Sequence, residues 1–206
     1  MIRPIACFPL VVMILAGCQR TEQASAPDSP GPSASASPSS DPAAVADTNR
    51  LTALGLGPIK VGMTAAEVAS VWGNDSRPDN PGGPEPEICD EFHPVGAPEG
   101  VNIMIQSGRL SRISIIGNAT IRTDRGFGLG DTGLAIKQAY GGAIIVQPAK
   151  YESAPAEDLI GWANGGSTDF VQDPAARGIR YEINAEGLVK IIHAGDPSIQ
   201  LVEGCS

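Results

Sequence analysis

Apolar and polar positions divide the 206-residue chain into three stretches of different character. Ile5 to Leu15 is an almost unbroken apolar run behind a single positive charge, Arg3. It is shorter than the ~20 apolar residues needed to span a bilayer as a helix. From Gln19 to Arg50 the chain is mostly Ser, Ala, Pro, Asp and Thr, with no aromatic residue and only Val45 as an aliphatic side chain larger than alanine. Such a composition buries too little apolar surface to offset its ordering entropy, which predicts a disordered tether. Its root-mean-square reach as a flexible coil is roughly 30 Å.

From Leu51 the pattern becomes periodic, and it repeats. Val61-Gly62-Met63-Thr64, Val68 and Trp72-Gly73 recur at one constant interval as Leu129-Gly130-Asp131-Thr132, Ile136 and Tyr140-Gly141. Each copy predicts a turn at glycine, a threonine N-cap, one apolar helix face and a glycine stop with positive φ. Thr64 and Glu67 form a capping-box pattern, whereas Ala135 stands at the equivalent position of the second copy. A hairpin pattern follows each helix. Val101, Ile103 and Ile105 alternate before Ser107-Gly108 and Leu110–Ile116, and Ile179, Tyr181 and Ile183 before Glu186-Gly187 and Leu188–His193. The second copy adds candidate strands at Ile144–Val146 and Asp158–Trp162. Ala119–Thr123 is expected as a linking strand and Ile199–Val202 as a closing one. The fold class is therefore α+β, with two tandem helix-plus-antiparallel-strand repeats forming a sheet with helices on one face. Repeat 1 covers 51–117 and repeat 2 covers 118–206.

The segment Leu15-Ala16-Gly17-Cys18, closing the apolar run, resembles the signal of bacterial lipoproteins. That resemblance implies a signal peptide over 1–17 and cleavage before Cys18. It also implies lipid (palmitate among the acyl chains) on Cys18, and a tether over 18–50. The attachment is then by acyl chains, each buried CH₂ adding ~0.8 kcal/mol. Gln19, where many Gram-negative lipoproteins carry an inner-membrane retention aspartate, points to the outer membrane, with the protein facing the periplasm. With Cys7 lost and Cys18 lipidated, Cys89 and Cys205 remain. In an exported, oxidising compartment they are expected to pair, worth ~4–5 kcal/mol on the chain-entropy model.

The pattern Ile-x-Val-Gly-Met-Thr…Val…Trp-Gly resembles the helical opening of the BamE-like (SmpA/OmlA) lipoproteins, which assist outer-membrane β-barrel assembly. A tandem of such units is similar to the β-lactamase-inhibitor fold, whose concave sheet grips a partner protein. The duplication and the Cys89/Cys205 pair depart from a single BamE-like unit.

Charge narrows the function classes. The net charge of −9 disfavours nucleic acid, which demands neutralising Lys and Arg, and disfavours anionic headgroups. Six acids between Asn74 and Glu91 face only Arg77, while Arg109, Arg112 and Arg122 fall in a stretch without an acid. An acidic loop beside a basic hairpin can steer a charged partner. Asp90, Glu91 and Trp162 are the candidate partner-binding residues.

Gly128, Gly130 and Gly133 satisfy the G-x-G-x-x-G spacing, but antiparallel hairpins do not supply the parallel βαβ unit that a dinucleotide needs. His93 beside Cys89, Asp90 and Glu91 lacks the further ligands of a zinc site. His193, in phase with Val189 and Ile191, is expected to be half-buried in packing. No Gly-x-Ser-x-Gly elbow occurs, and no serine or acid neighbours either histidine in a triad motif. The expectation is an envelope lipoprotein without catalytic activity, cofactor or metal, binding an envelope protein in assembly or inhibition. The alternatives are a binder of a small ligand or cell-wall fragment between the repeats, and an unrecognised hydrolase.

Overall fold

The structure, a computed structural model, describes residues 49–206. The signal peptide, Cys18 and nearly all of the tether lie outside the described residues. Among those described, no helix is long and apolar enough to cross a membrane.

The described chain is mixed α and β and dominated by antiparallel strands. A small meander of β1 (Leu51–Thr52), β2 (Gly55–Leu56) and β3 (Ile59–Lys60) leads to α1 (Ala65–Trp72). Next come β4 (Cys89–Phe92), β5 (Val101–Gln106) and β6 (Arg109–Ile115). After α2 (Gly133–Tyr140) follow β7 (Ile144–Pro148), β8 (Glu157–Asn164), β9 (Arg177–Ile183) and β10 (Val189–Gly195). The large sheet has seven strands in the order β4-β5-β6-β10-β9-β8-β7, every neighbour antiparallel.

Local chemistry explains the elements. Thr64 Oγ1 accepts the Glu67 N–H at 3.2 Å while the Glu67 carboxylate accepts the Thr64 N–H at 2.7 Å, so α1 has its full capping box. Thr132 caps α2 through the Ala135 N–H alone, at 3.3 Å. Both helices stop at glycines of positive φ, Gly73 and Gly141. Ser107 and Gly108 (φ 50° and 74°) make the two-residue turn from β5 to β6, as the right-handed strand twist favours.

Alternation decides the two faces of the sheet. Val101, Ile103, Ile113, Ile115, Ile192, Ile179, Tyr181 and Leu159 form one buried cluster with Val68 and Trp72 of α1 and Ile136 of α2, which places both helices on this face. The opposite face carries Met104, Arg112, Ser114, His193, Arg180, Glu182 and Asp158 in neighbouring register positions. A bulge at Lys190 reverses the phase of β10, so Val189 joins the helix-side core while Ile191 and His193 face the other way.

Two expected strands are absent. Ala119–Thr123 forms no strand; Thr123 makes a single bridge to Leu51 and the rest is extended loop. Ile199–Val202, expected as a closing strand, forms none: it starts inside the 3-10 helix Pro197–Gln200 and runs on into a turn. Asp196 accepts the Ser198 N–H, and Pro197, with its fixed φ, opens the helix.

Candidate functional site

The polar face of the sheet is covered by the end of the chain. Residues 196–206 cross it as a strap, and β6 and β9 each send up an arginine to hold it. Arg112 Nη1 donates to the Ser198 carbonyl at 3.1 Å and to the Leu201 carbonyl at 2.8 Å. Arg180 Nη1 donates to the Ile199 carbonyl at 3.0 Å. Both guanidiniums are almost wholly buried, so each needs a carboxylate nearby. Arg112 pairs with Glu91 of β4; Arg180 pairs with Glu182 at 2.8 Å and Asp158 at 3.1 Å. Ile199, fully buried, seats over Gly178 beside Trp162. The Cys89–Cys205 disulfide then fastens the strap to edge strand β4.

Between the arginines runs a hydrogen-bonded chain that the sequence pattern did not expose. Ser114 Oγ lies 2.8 Å from His193 Nδ1, and His193 Nε2 lies 3.1 Å from Glu182 Oε1. Burial drives the His193 pKa down to about 4, with the Arg112 and Arg180 cations acting in the same direction. Burial works against ionisation of Glu182, yet its hydrogen bond from His193 and the neighbouring charges of His193, Arg180 and Lys190 hold it at about 2. The neutral ring therefore donates Nε2–H to the carboxylate and accepts the Ser114 hydroxyl at Nδ1. The proton arrangement is that of a serine–histidine–acid relay. Ser114 is buried, only 7% exposed. The chain of groups ties β6, β10 and β9 together beneath the strap.

Three clefts open around the strap. The largest, about 580 Å³, lies beside the disulfide and includes Ile88, Gln106, Leu201 and Val202. A second, about 290 Å³, shares Gln106 and Leu201 and reaches Phe170. A small third, about 120 Å³, exposes Glu182 and Lys190 next to Tyr151. Ile88, Tyr151, Phe170 and Val202 are all exposed, so four large apolar side chains rim one face.

The candidate partner residues are not brought together. Trp162 is half-buried on β8 and lines a separate shallow cleft with Ile145. Asp90 and Glu91 lie on β4, with β5, β6, β10 and β9 between them and Trp162. Asp90 accepts the Gly82 N–H, and Glu91 is committed to Arg112. The basic hairpin is not a basic surface either: Arg112 is buried, Arg109 donates to the Gly62 carbonyl, and Arg122 pairs with Asp131.

His93 Nδ1 lies 2.7 Å from the Val101 carbonyl, and Cys89 is in the disulfide. No group of three metal-ligating side chains converges among the described residues. Gly130 (φ 83°) makes the turn before the Thr132 cap, and the Gly133 N–H donates to the Gly187 carbonyl in the β9–β10 turn.

No family model, curated protein or solved structure matches the chain.

Proposed function

We propose that the chain is a lipid-anchored, non-catalytic protein-interaction module of the bacterial envelope, displayed on a flexible tether from the outer membrane into the periplasm. The observation that carries this reading is the strap face. It is locked by a disulfide and two buried arginines, and its rim presents Ile88, Tyr151, Phe170 and Val202 to solvent. Large exposed apolar side chains gathered on one rigid surface are the usual mark of a contact site. The Leu-Ala-Gly-Cys segment supplies the address.

The head reads as two tandem repeats. Matching hydrogen bonds support this: Gly62 N–H to Leu110 and Gly130 N–H to Val189, then Leu110 N–H to Met63 and Val189 N–H to Asp131. Ala65 N–H to Gly108 and Gly133 N–H to Gly187 complete the set. Each helix start is thus stitched to its own hairpin, and the two hairpins meet where β6 pairs with β10.

A second reading has one observation in its favour. A cleft of about 560 Å³, within the usual range for small ligands, lies near the junction of the repeats, with Leu56, Trp72 and Ile121 in its lining.

The test is crosslinking in intact cells with capture of the tagged, full-length protein, beside a Cys18→Ala variant. The interaction reading expects one specific envelope protein, and release of the Cys18→Ala variant from membranes. Recovery of no specific protein, with a ligand of the soluble head found instead, would replace it with the second reading.

A further inference from the structure

We infer that the groove along the strap, from Ile88 past Leu201 to Phe170, receives a cationic, apolar-bearing segment of the partner protein; this rests on the interaction reading above. The two larger clefts beside the strap adjoin at Gln106 and Leu201, which line both. Apolar contacts stand at both ends and along one side. Ile88 is 52% exposed, Phe170 62% and Val202 38%. Single exposed apolar residues need no explanation, but three around one groove on a strongly acidic protein do.

Charge selects the occupant. The groove lining carries Glu85, Glu203 and Asp196 against one cation, Lys150, and Glu203 holds that cation at 2.6 Å. Glu87 and Asp169 stand exposed next to Ile88 and Phe170 in the chain. Arg112 of the neighbouring hairpin does not offset this, because it is buried beneath the strap and paired with Glu91, and Arg109 reaches away to the Gly62 carbonyl. A lysine- or arginine-bearing segment with apolar side chains between its charges therefore matches the groove in both respects, and an acidic one is repelled.

The groove is also preformed. Its floor is pinned at Leu201 by Arg112 and at Cys205 by the disulfide. Little ordering remains to be done when a segment docks, which favours affinity.

The lipidated full-length protein in a neutral detergent tests this with fluorescent synthetic peptides. One alternates lysine and leucine, one glutamate and leucine, and one lysine and serine. The lysine–leucine peptide should bind about tenfold more tightly than either control. Combined Ile88→Ser and Phe170→Ser substitutions should weaken it about tenfold, and Glu85→Lys should weaken it in a salt-dependent way. Leu134→Ser, at a 63% exposed position on α2, should leave it unchanged. Equal binding by all variants, or no preference for the lysine–leucine peptide, overturns the groove assignment. If cellular crosslinking still captures a partner in that case, the interaction reading survives and only its surface has been misplaced.

Discussion

Ser114 and His193 face each other directly across the β6–β10 pairing, with Oγ 2.8 Å from Nδ1. This contact joins the two hairpins at the centre of the sheet, and burial keeps its ring neutral. Burial lowers the His193 pKa from 6.5 to about 4, so the unfolded chain takes up a proton that the native state refuses. Stability is therefore lost as pH falls from 6.5 to 4, by about 3 kcal/mol in total. Glu182, held near 2 against an ordinary 4.5, extends the loss as pH falls from 4.5 to 2. Urea unfolding at pH 7 and pH 4.5 should show this decline. His193→Asn should be less stable at pH 7 and flatter over the upper part of the range.

Arg112 holds three partners at once, so its removal is costly. Arg112→Ala leaves the Glu91 carboxylate and the Ser198 and Leu201 carbonyls without their donor. The expected loss is about 3–5 kcal/mol, as for a buried ion pair broken on one side. Chemical denaturation measures it. Arg112→Met together with Glu91→Leu should recover much of the loss, because neither charge is then stranded.

The disulfide and the arginines hold the strap together, so opening the bridge alone should loosen it without releasing it. A Cys89→Ser, Cys205→Ser variant should be less stable by up to about 4 kcal/mol. Hydrogen exchange should quicken most at 202–206, beyond the Arg112 and Arg180 contacts, while the β5 and β6 amides stay protected. Uniform acceleration across the sheet would mean that the strap and the sheet unfold as one unit.

Gly178 is crowded by Trp162 of the neighbouring strand as well as by the strap. A Cβ there would come 2.8 Å from Trp162 Cε3 and 3.0 Å from Ile199 Cδ1. Gly178→Ala should cost about 1–3 kcal/mol through overpacking, and the Trp162 fluorescence should shift as Ile199 is displaced. Gly187→Ala is a different case: no atom lies near its Cβ, and only its positive φ of 78° resists the change.

The helices and hairpins could be read from the sequence because their signals are local. Thr64 with Glu67 specifies its own cap, and Ser107-Gly108 its own turn. Strand β4 carries no such signal, since Cys89-Asp90-Glu91-Phe92 looks like part of an acidic loop until it pairs with β5. The polar face was hidden for a physical reason. Arg112, Ser114, His193, Arg180 and Glu182 alternate with apolar residues just as a solvated face does, and only the strap, distant in sequence from β6, makes them buried. Val189 lies out of phase with Ile191 and His193, because the extra residue at Lys190 is invisible to a period of two. The strap itself left one readable clue: Asp196-Pro197 is a cap followed by a helix-opening proline. Asp90 and Glu91, expected in the acidic loop, are occupied within the fold.

Site-specific photocrosslinking in intact cells tests the central claim most directly. A photoreactive residue at Phe170 or Ile88 reports on the strap face, and one at Leu134 reports on the helix side. The strap face as the contact surface predicts a single discrete adduct with an envelope protein from Phe170 and Ile88 and none from Leu134. Adducts absent from both strap positions in a correctly folded, membrane-bound protein would contradict that surface.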